Sequence, residues 1–195
     1  MNLPNKLSLF RIILVPIIAW IYMYVDLGSV DVVFGKTTIT YHVSALIVLF
    51  LFIVASITDY LDGKIARKRN LITSFGKFID PIADKLLVNT MFIMFALNDL
   101  VPIFLVLCMI WRDMVVDGLR MSASSKGNVV AANYLGKLKT VLQMSAIIVV
   151  LLNNWPFAYL GIPFDQIIFW LATIVSIVSG IDYFIKLKDI VMETM

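Results

Sequence analysis

Cysteine and histidine are almost missing from this chain. Its 195 residues include one of each, Cys108 and His42. A lone thiol cannot close an internal disulfide, and Cys108 lies in an apolar run, where it reads as inert packing. A structural zinc site built on those two residue types is not expected either. Charge is scarce as well, at 15% of residues, which excludes an ordinary soluble domain. The first apolar run, residues 7–25, has no small-residue cleavage site after it, so a retained helix is expected rather than a removed leader. There is no low-complexity segment, no internal repeat and no linker long enough to separate domains.

Apolar side chains dominate, at 61% of the chain with a mean hydropathy of +0.95. A span needs about 20 mostly apolar residues. Six such stretches are present, near 7–25, 43–61, 78–97, 101–120, 136–153 and 166–185. The expected fold is all-α, a polytopic membrane bundle of six transmembrane helices forming one domain over residues 1–195. Six spans put both termini on one side. The loops 26–42, 98–100 and 154–165 then lie opposite, and they carry one basic residue, Lys36. The other 15 of the 16 basic residues fall at the side of the termini, among them Arg69 and Lys126. The positive-inside rule makes that side cytoplasmic. Tyr41, Trp155 and Tyr159 suit the opposite interface, and His42, also on that side, is not expected to catalyse. In a membrane chain these cations read as setting topology and binding phosphate rather than nucleic acid.

One stretch breaks the apolar pattern. From Asp59 to Leu87 the chain reads DYLDGKIARKRNLITSFGKFIDPIADKLL. Asp59 and Asp62 are three apart, and Asp80 and Asp84 are four apart, so each pair shares a face if its flank is helical. A carboxylate at mid-membrane is disfavoured by about 2.5 to 3.5 kcal/mol on insertion scales. Four are tolerated only where they meet water, cations or each other. A helix from Ser44 to Lys68 is about 37 Å long, so its last turns should leave a hydrocarbon core of about 30 Å. Gly63 and Ala66 are small enough for a helix or flat ligand to approach. Pro81 follows Asp80 and is expected to kink its helix. Gly76 is read as the start of that helix, and Asn5, after Pro4, as the cap of the first.

Two chemistries remain open from spacing alone. The four aspartates could hold hard divalent cations, as in two-metal phosphoryl displacement, with one of them accepting a proton from an attacking hydroxyl. Alternatively they are helix-end charges paired with Lys64, Arg67, Lys77 and Lys85. Arg11 is either a snorkelling anchor or a phosphate contact.

The pattern Asp59-x2-Asp62-Gly63-x2-Ala66-Arg67-x8-Gly76-x3-Asp80-x3-Asp84 resembles the signature of the CDP-alcohol phosphotransferases. All eight fixed positions match over 26 residues. The resemblance implies an integral membrane enzyme, working as a homodimer among membrane lipids. It would move a phosphatidyl-type group from a CDP-linked donor to an alcohol. It implies that Asp59, Asp62, Asp80 and Asp84 bind two divalent cations, Mg²⁺ or Mn²⁺, and that Asp84 is the base. It also implies that Asn5, Ser8, Gly63, Ala66, Arg67 and Thr73 contact the donor, CDP-diacylglycerol.

The opening NLPNKLSLFRI, the run DPIADKLL and the segment Gly136-Lys137-x-Lys139-Thr140 resemble the bacterial branch whose acceptor is glycerol 3-phosphate. That acceptor is an anion and needs cations nearby. Arg112 and Arg120 on the fourth span and Lys137 and Lys139 on the fifth are the candidates. Asp113 and Asp117 are expected to be satisfied by Arg112 and Arg120. Rival readings are a family member acting on phosphatidylglycerol, serine or inositol phosphate, a divalent-cation transporter, and a non-catalytic membrane scaffold. The transporter predicts acidic residues spread through mid-depth, whereas here they cluster at one end of two helices.

Overall fold

The computed structural model describes residues 2–34, 37–68, 73–125 and 134–192. At 34, 37, 66–68, 74, 77 and 189–192 it describes the backbone only. Within these residues lie six helices: α1 (Leu3–Tyr24), α2 (Val43–Lys68), α3 (Ser74–Leu97), α4 (Ile103–Ser125), α5 (Tyr134–Leu151) and α6 (Phe164–Met192). Each covers most or all of one expected span, and α2 and α6 run seven residues past the expected ends at 61 and 185. Four of them, α1, α2, α5 and α6, are long and apolar enough to cross a membrane. The other two fall short on composition, because α3 carries Asp80, Asp84 and Lys85, and α4 carries Arg112, Asp113, Asp117 and Arg120.

The helices form two groups of three. α1 packs chiefly against α2 and α3, and α6 against α4 and α5. Contacts of α3 with α4 and α5, and of α2 with α5, join the groups. The core at the join is mainly apolar. Ile18, Phe92, Phe95, Met109 and Phe169 are fully buried, and the rings of Phe92 and Phe169 meet edge to face at 5.0 Å. The outside is apolar too, with Trp20, Phe50, Phe104 and Trp170 exposed. An apolar exterior of this kind is the surface a lipid environment favours.

The all-α expectation needs one correction. Residues 26–42, taken as a loop, contain the antiparallel strands β1 (Ser29–Phe34) and β2 (Thr37–His42). The sequence SVDVVF pairs with TTITYH, and both strands are rich in β-branched residues, which suit a pleated surface. Thr40 Oγ1 donates to Asp31 Oδ1 across the ladder at 2.6 Å. Asn153 Nδ2, beyond α5, donates to the Thr40 carbonyl and ties the hairpin to the helices. Lys36, Arg69 and Lys126 lie outside the described residues.

Two helix starts also differ from expectation. Asn2 caps α1, accepting from the Asn5 amide through its side chain, while Asn5 itself is inside the helix. α3 begins at Ser74 with Thr73 as its cap, two residues ahead of Gly76. The helix runs on through Pro81, which removes one backbone donor without ending it. Trp155 and Tyr159 lie just beyond α5, at the end of the bundle away from the aspartates, and both are exposed.

Truncating a ring at the join is expected to leave a cavity, whereas a lipid-facing ring has no close partner to lose. Phe92→Ala should lower unfolding stability in detergent by about 3 kcal/mol or more, and Trp170→Ala by less than about 1 kcal/mol. Equal shifts in thermal unfolding would contradict this placement of the core.

Candidate active site

The acidic half of the site is built where α1 lies against α2 and α3. Asp59 and Asp62 are one face of the last turns of α2, and Asp80 and Asp84 one face of the first turns of α3. Ser8 and Arg11, three apart on α1, meet both pairs. The Arg11 side chain is 1% exposed. Its Nη1 makes a direct ion pair with Asp59 and reaches Asp84 Oδ1 at 3.5 Å. Its Nη2 donates to Asp62 Oδ2 at 2.6 Å. Arg11 Nε is buried with no hydrogen-bond partner among the described residues. Ser8 Oγ hydrogen-bonds Asp80 Oδ1 and lies 3.5 Å from Asp62 Oδ2. Arg11 is therefore neither a snorkelling anchor nor free to meet a phosphate as it stands, because it is the counter-ion of three aspartates.

The expected lysine partners lie elsewhere. Lys64 sits over the Tyr60 ring at 5.8 Å, and Lys85 is ion-paired with Asp117. The side chains of Ala66, Arg67 and Lys77 are outside the described residues.

Gly76 has a packing reason. A Cβ there would come within 2.9 Å of Asn5 Oδ1 and 3.3 Å of Thr73 Oγ1. Thr73 Oγ1 accepts from the Gly76 amide at 3.0 Å and donates to Asn5 Oδ1 at 3.1 Å. The glycine thus lets α1 close onto the first turn of α3. Asn5 and Ser8 are buried in this seam, so their side chains brace Thr73 and Asp80. Gly63 is half-buried on α2, next to Asp62.

The basic half is built by α4 and α5 with help from α3. Arg112 Nη1 donates to Asp113 Oδ1 at 2.9 Å, and Lys139 pairs with the same oxygen. Asp113 is thus satisfied by Arg112 and Lys139, and Asp117 by Lys85. The expected pairing of Asp113 with Arg112 is present, whereas Asp117 pairs with Lys85 in place of Arg120. The reason is the direction of Arg120, whose guanidinium carbon lies 5.9 Å from the Tyr183 ring on α6. Lys85, one residue after Asp84, reaches across to α4 instead.

One cavity of about 680 Å³ joins the halves. Asp59, Asp80 and Asp84 line one side, and Arg112, Arg120, Lys137 and Lys139 line the other. Asp62, 3% exposed, stands behind them against Arg11. Lys85 and Tyr183 also reach the cavity, and neither was foreseen as part of the site. Lys85 carried a signal, its position beside Asp84, but Tyr183 carried none in its apolar run.

Hard oxygen donors with no sulfur or imidazole nearby are the ligand set of divalent cations such as Mg²⁺. Among the described residues no three acidic side chains form a ready-made cation cage, because Arg11 is wedged between three of them. Arg11 and Ser8 touch one oxygen of each carboxylate. The second oxygen takes part in none of these contacts. The donor chemistry fits divalent cations, provided that Arg11 yields part of its hold.

Comparison with known proteins shows the family. The sequence profile of the CDP-alcohol phosphatidyltransferase family matches residues 1–178. A Bacillus subtilis protein named CDP-diacylglycerol–glycerol-3-phosphate 3-phosphatidyltransferase is 46% identical over 186 residues, covering 95% of this chain and 94% of its own. Proteins of the same name are 40% identical in Rickettsia typhi, covering 94% and 95%, and 38% identical in Mycoplasma genitalium, covering 95% and 84%. With its profile matched across α1 to α5 and into α6, and its eight motif positions intact, this chain belongs to the CDP-alcohol phosphatidyltransferase family.

Proposed function

We propose that this chain transfers the phosphatidyl group of CDP-diacylglycerol to glycerol 3-phosphate, giving phosphatidylglycerophosphate and CMP. The observation that carries the reading is one cavity lined by Asp59, Asp80 and Asp84 and also by Arg112, Arg120, Lys137 and Lys139. An acidic wall suits the cations that accompany a diphosphate, and a basic wall suits an anionic acceptor. The names of the relatives support the same pair of substrates. Residues 1–195 act as one membrane domain in the cell membrane, in a homodimer. Both termini and the site face the cytoplasm, a placement supported by the basic residues gathered at that end.

Asp59, Asp62, Asp80 and Asp84 would hold two divalent cations, Mg²⁺ or Mn²⁺, which when bound neutralise the donor diphosphate and stabilise the phosphate of the departing CMP. Gly63, Ala66 and Arg67 receive the CDP group on α2, with Asn5, Ser8 and Thr73 setting the α1–α3 seam beside it. Arg112, Arg120, Lys137 and Lys139 hold the acceptor phosphate. Asp84, whose side chain is 42% exposed at the cavity, takes the proton of the acceptor hydroxyl. The freed oxygen attacks the phosphorus that bears the lipid. Its new P–O bond replaces the one to CMP, which leaves with that bond's electron pair. Direct displacement is favoured over a covalent enzyme intermediate. Ser8, the hydroxyl nearest the carboxylates, is fully buried and away from the cavity wall.

Purified protein in detergent, given labelled CDP-diacylglycerol and a panel of acceptors, tests the reading. CMP release should require glycerol 3-phosphate, stop with EDTA and return with Mg²⁺ or Mn²⁺. Turnover with phosphatidylglycerol, serine or inositol phosphate in its place would overturn the acceptor assignment. Asp84→Asn should lower kcat by about 10² to 10⁴ with thermal unfolding unchanged. Unaltered turnover would remove Asp84 from the base role.

Arg11 makes a separate prediction, because it neutralises the carboxylates when no metal does. Arg11→Met leaves them facing one another and should destabilise the protein in EDTA by about 3 kcal/mol, read as a lower unfolding temperature. Added Mg²⁺ should then stabilise the variant more than the parent. Identical unfolding of the two in EDTA would refute the counter-ion role.

A further inference from the structure

The direction of Arg112 is set from outside its own helix. Its aliphatic stem lies over Gly180 of α6, where a Cβ would meet Arg112 Cγ at 2.8 Å, Nε at 3.3 Å and Cδ at 3.6 Å. Its Nε donates to the Ser176 carbonyl at 2.9 Å, and its Nη2 donates to Ser179 Oγ at 2.7 Å. Its guanidinium carbon lies 6.0 Å from the centre of the Tyr183 ring, within cation–π range. Ser176, Ser179, Gly180 and Tyr183 recur at offsets of three, four and seven, so they form one stripe along α6. Ser176 and Ser179 are fully buried and Tyr183 is 4% exposed. This is a packed bed and not a mobile surface.

We propose that this stripe is a positioning device for acceptor recognition, a notch that holds the Arg112 guanidinium at one angle in the cavity. The proposal rests on the reading of Arg112 as a phosphate contact and adds the means by which it is aimed. A guanidinium has five N–H donors. Ser176, Ser179 and Asp113 take three of them, one on Nε and one on each terminal nitrogen. Among the described residues one N–H on each terminal nitrogen has no protein partner, which leaves both nitrogens able to donate to a phosphate. A lysine could not be held in this way, because it lacks the planar fork. The family profile ends at residue 178, so Ser179, Gly180 and Tyr183 lie beyond it.

The device can be separated from general helix packing by a double-mutant cycle. Steady-state kinetics with glycerol 3-phosphate and CDP-diacylglycerol would be measured for Gly180→Ala, Ser179→Ala and Arg112→Ala, and for each α6 change combined with Arg112→Ala. Gly180→Ala should raise KM for glycerol 3-phosphate by about tenfold, with kcat and the KM for CDP-diacylglycerol within about twofold of the parent. Ser179→Ala, which adds no bulk, should shift the same constant in the same direction and serves if the alanine at Gly180 prevents folding. In the Arg112→Ala background both α6 changes should be silent, because the side chain they aim is gone. Penalties that add in the double variants, or α6 changes that leave the acceptor KM untouched, would overturn the inference. If Arg112→Ala itself leaves the acceptor KM unchanged, the assignment of Arg112 to the phosphate fails, and the stripe then only packs α6 onto α4.

Discussion

Everything at the active end of the bundle depends on one buried cation. Four aspartates gathered at one end of two helices repel one another, and one of them, Asp62, is buried. The Arg11 guanidinium, 1% exposed, pairs with Asp59 and Asp62 and reaches Asp84. A buried ion pair of this kind is poor evidence for stability in itself, since desolvation offsets much of its attraction. Its value lies in specifying arrangement. A planar fork can satisfy three carboxylates from two helices only when α1, α2 and α3 sit in one register. The seam of Asn5, Thr73 and Gly76 fixes the same register by contact. Charge and packing therefore agree on where α1 must lie.

The same principle explains why α3 and α4 are less apolar than their neighbours. Each carries its charges on the side that meets the other half of the bundle, so that lipid need not cover them. Asp113 is 7% exposed and Lys139 8% exposed, and they pair with each other between α4 and α5. A helix that fails a test of apolar length can still belong to a membrane bundle when its polar residues are spent on internal pairs.

How much of this could be read from the chain follows from the range of each signal. The aspartate pairs were legible because three- and four-residue spacings are local to a helix. The six helices were legible from the lengths of the apolar runs. Arg11 was visible as a residue but not as a counter-ion. Its partner Asp59 is 48 positions away, and no local period indicates which face of α1 turns to α2. The partnership of Asp113 with Arg112 was foreseen and is present, whereas its second partner, Lys139, depends on how α5 packs. The hairpin was missed because residues 26–42 were measured as a gap between spans, although the alternation of valine, threonine and isoleucine was there. The α6 stripe left no trace, since serines and a tyrosine in an apolar run look like ordinary packing until Arg112 is laid across them.

The two walls of the cavity differ in sign. Among the described side chains, Asp59, Asp80 and Asp84 line one, and Arg112, Arg120, Lys137 and Lys139 line the other. Opposed charges across one cavity create a field that sorts what enters it. Under the proposed function, dications would settle on the aspartate wall and the acceptor phosphate on the other, which would leave the acceptor hydroxyl toward Asp84. Lys85 and Asp117 form their ion pair across the α3–α4 boundary, next to the proposed base. That pair ties α3, which carries Asp80 and Asp84, to α4, which carries Arg112 and Arg120, and a gain in positioning of this kind lowers the barrier before any bond changes.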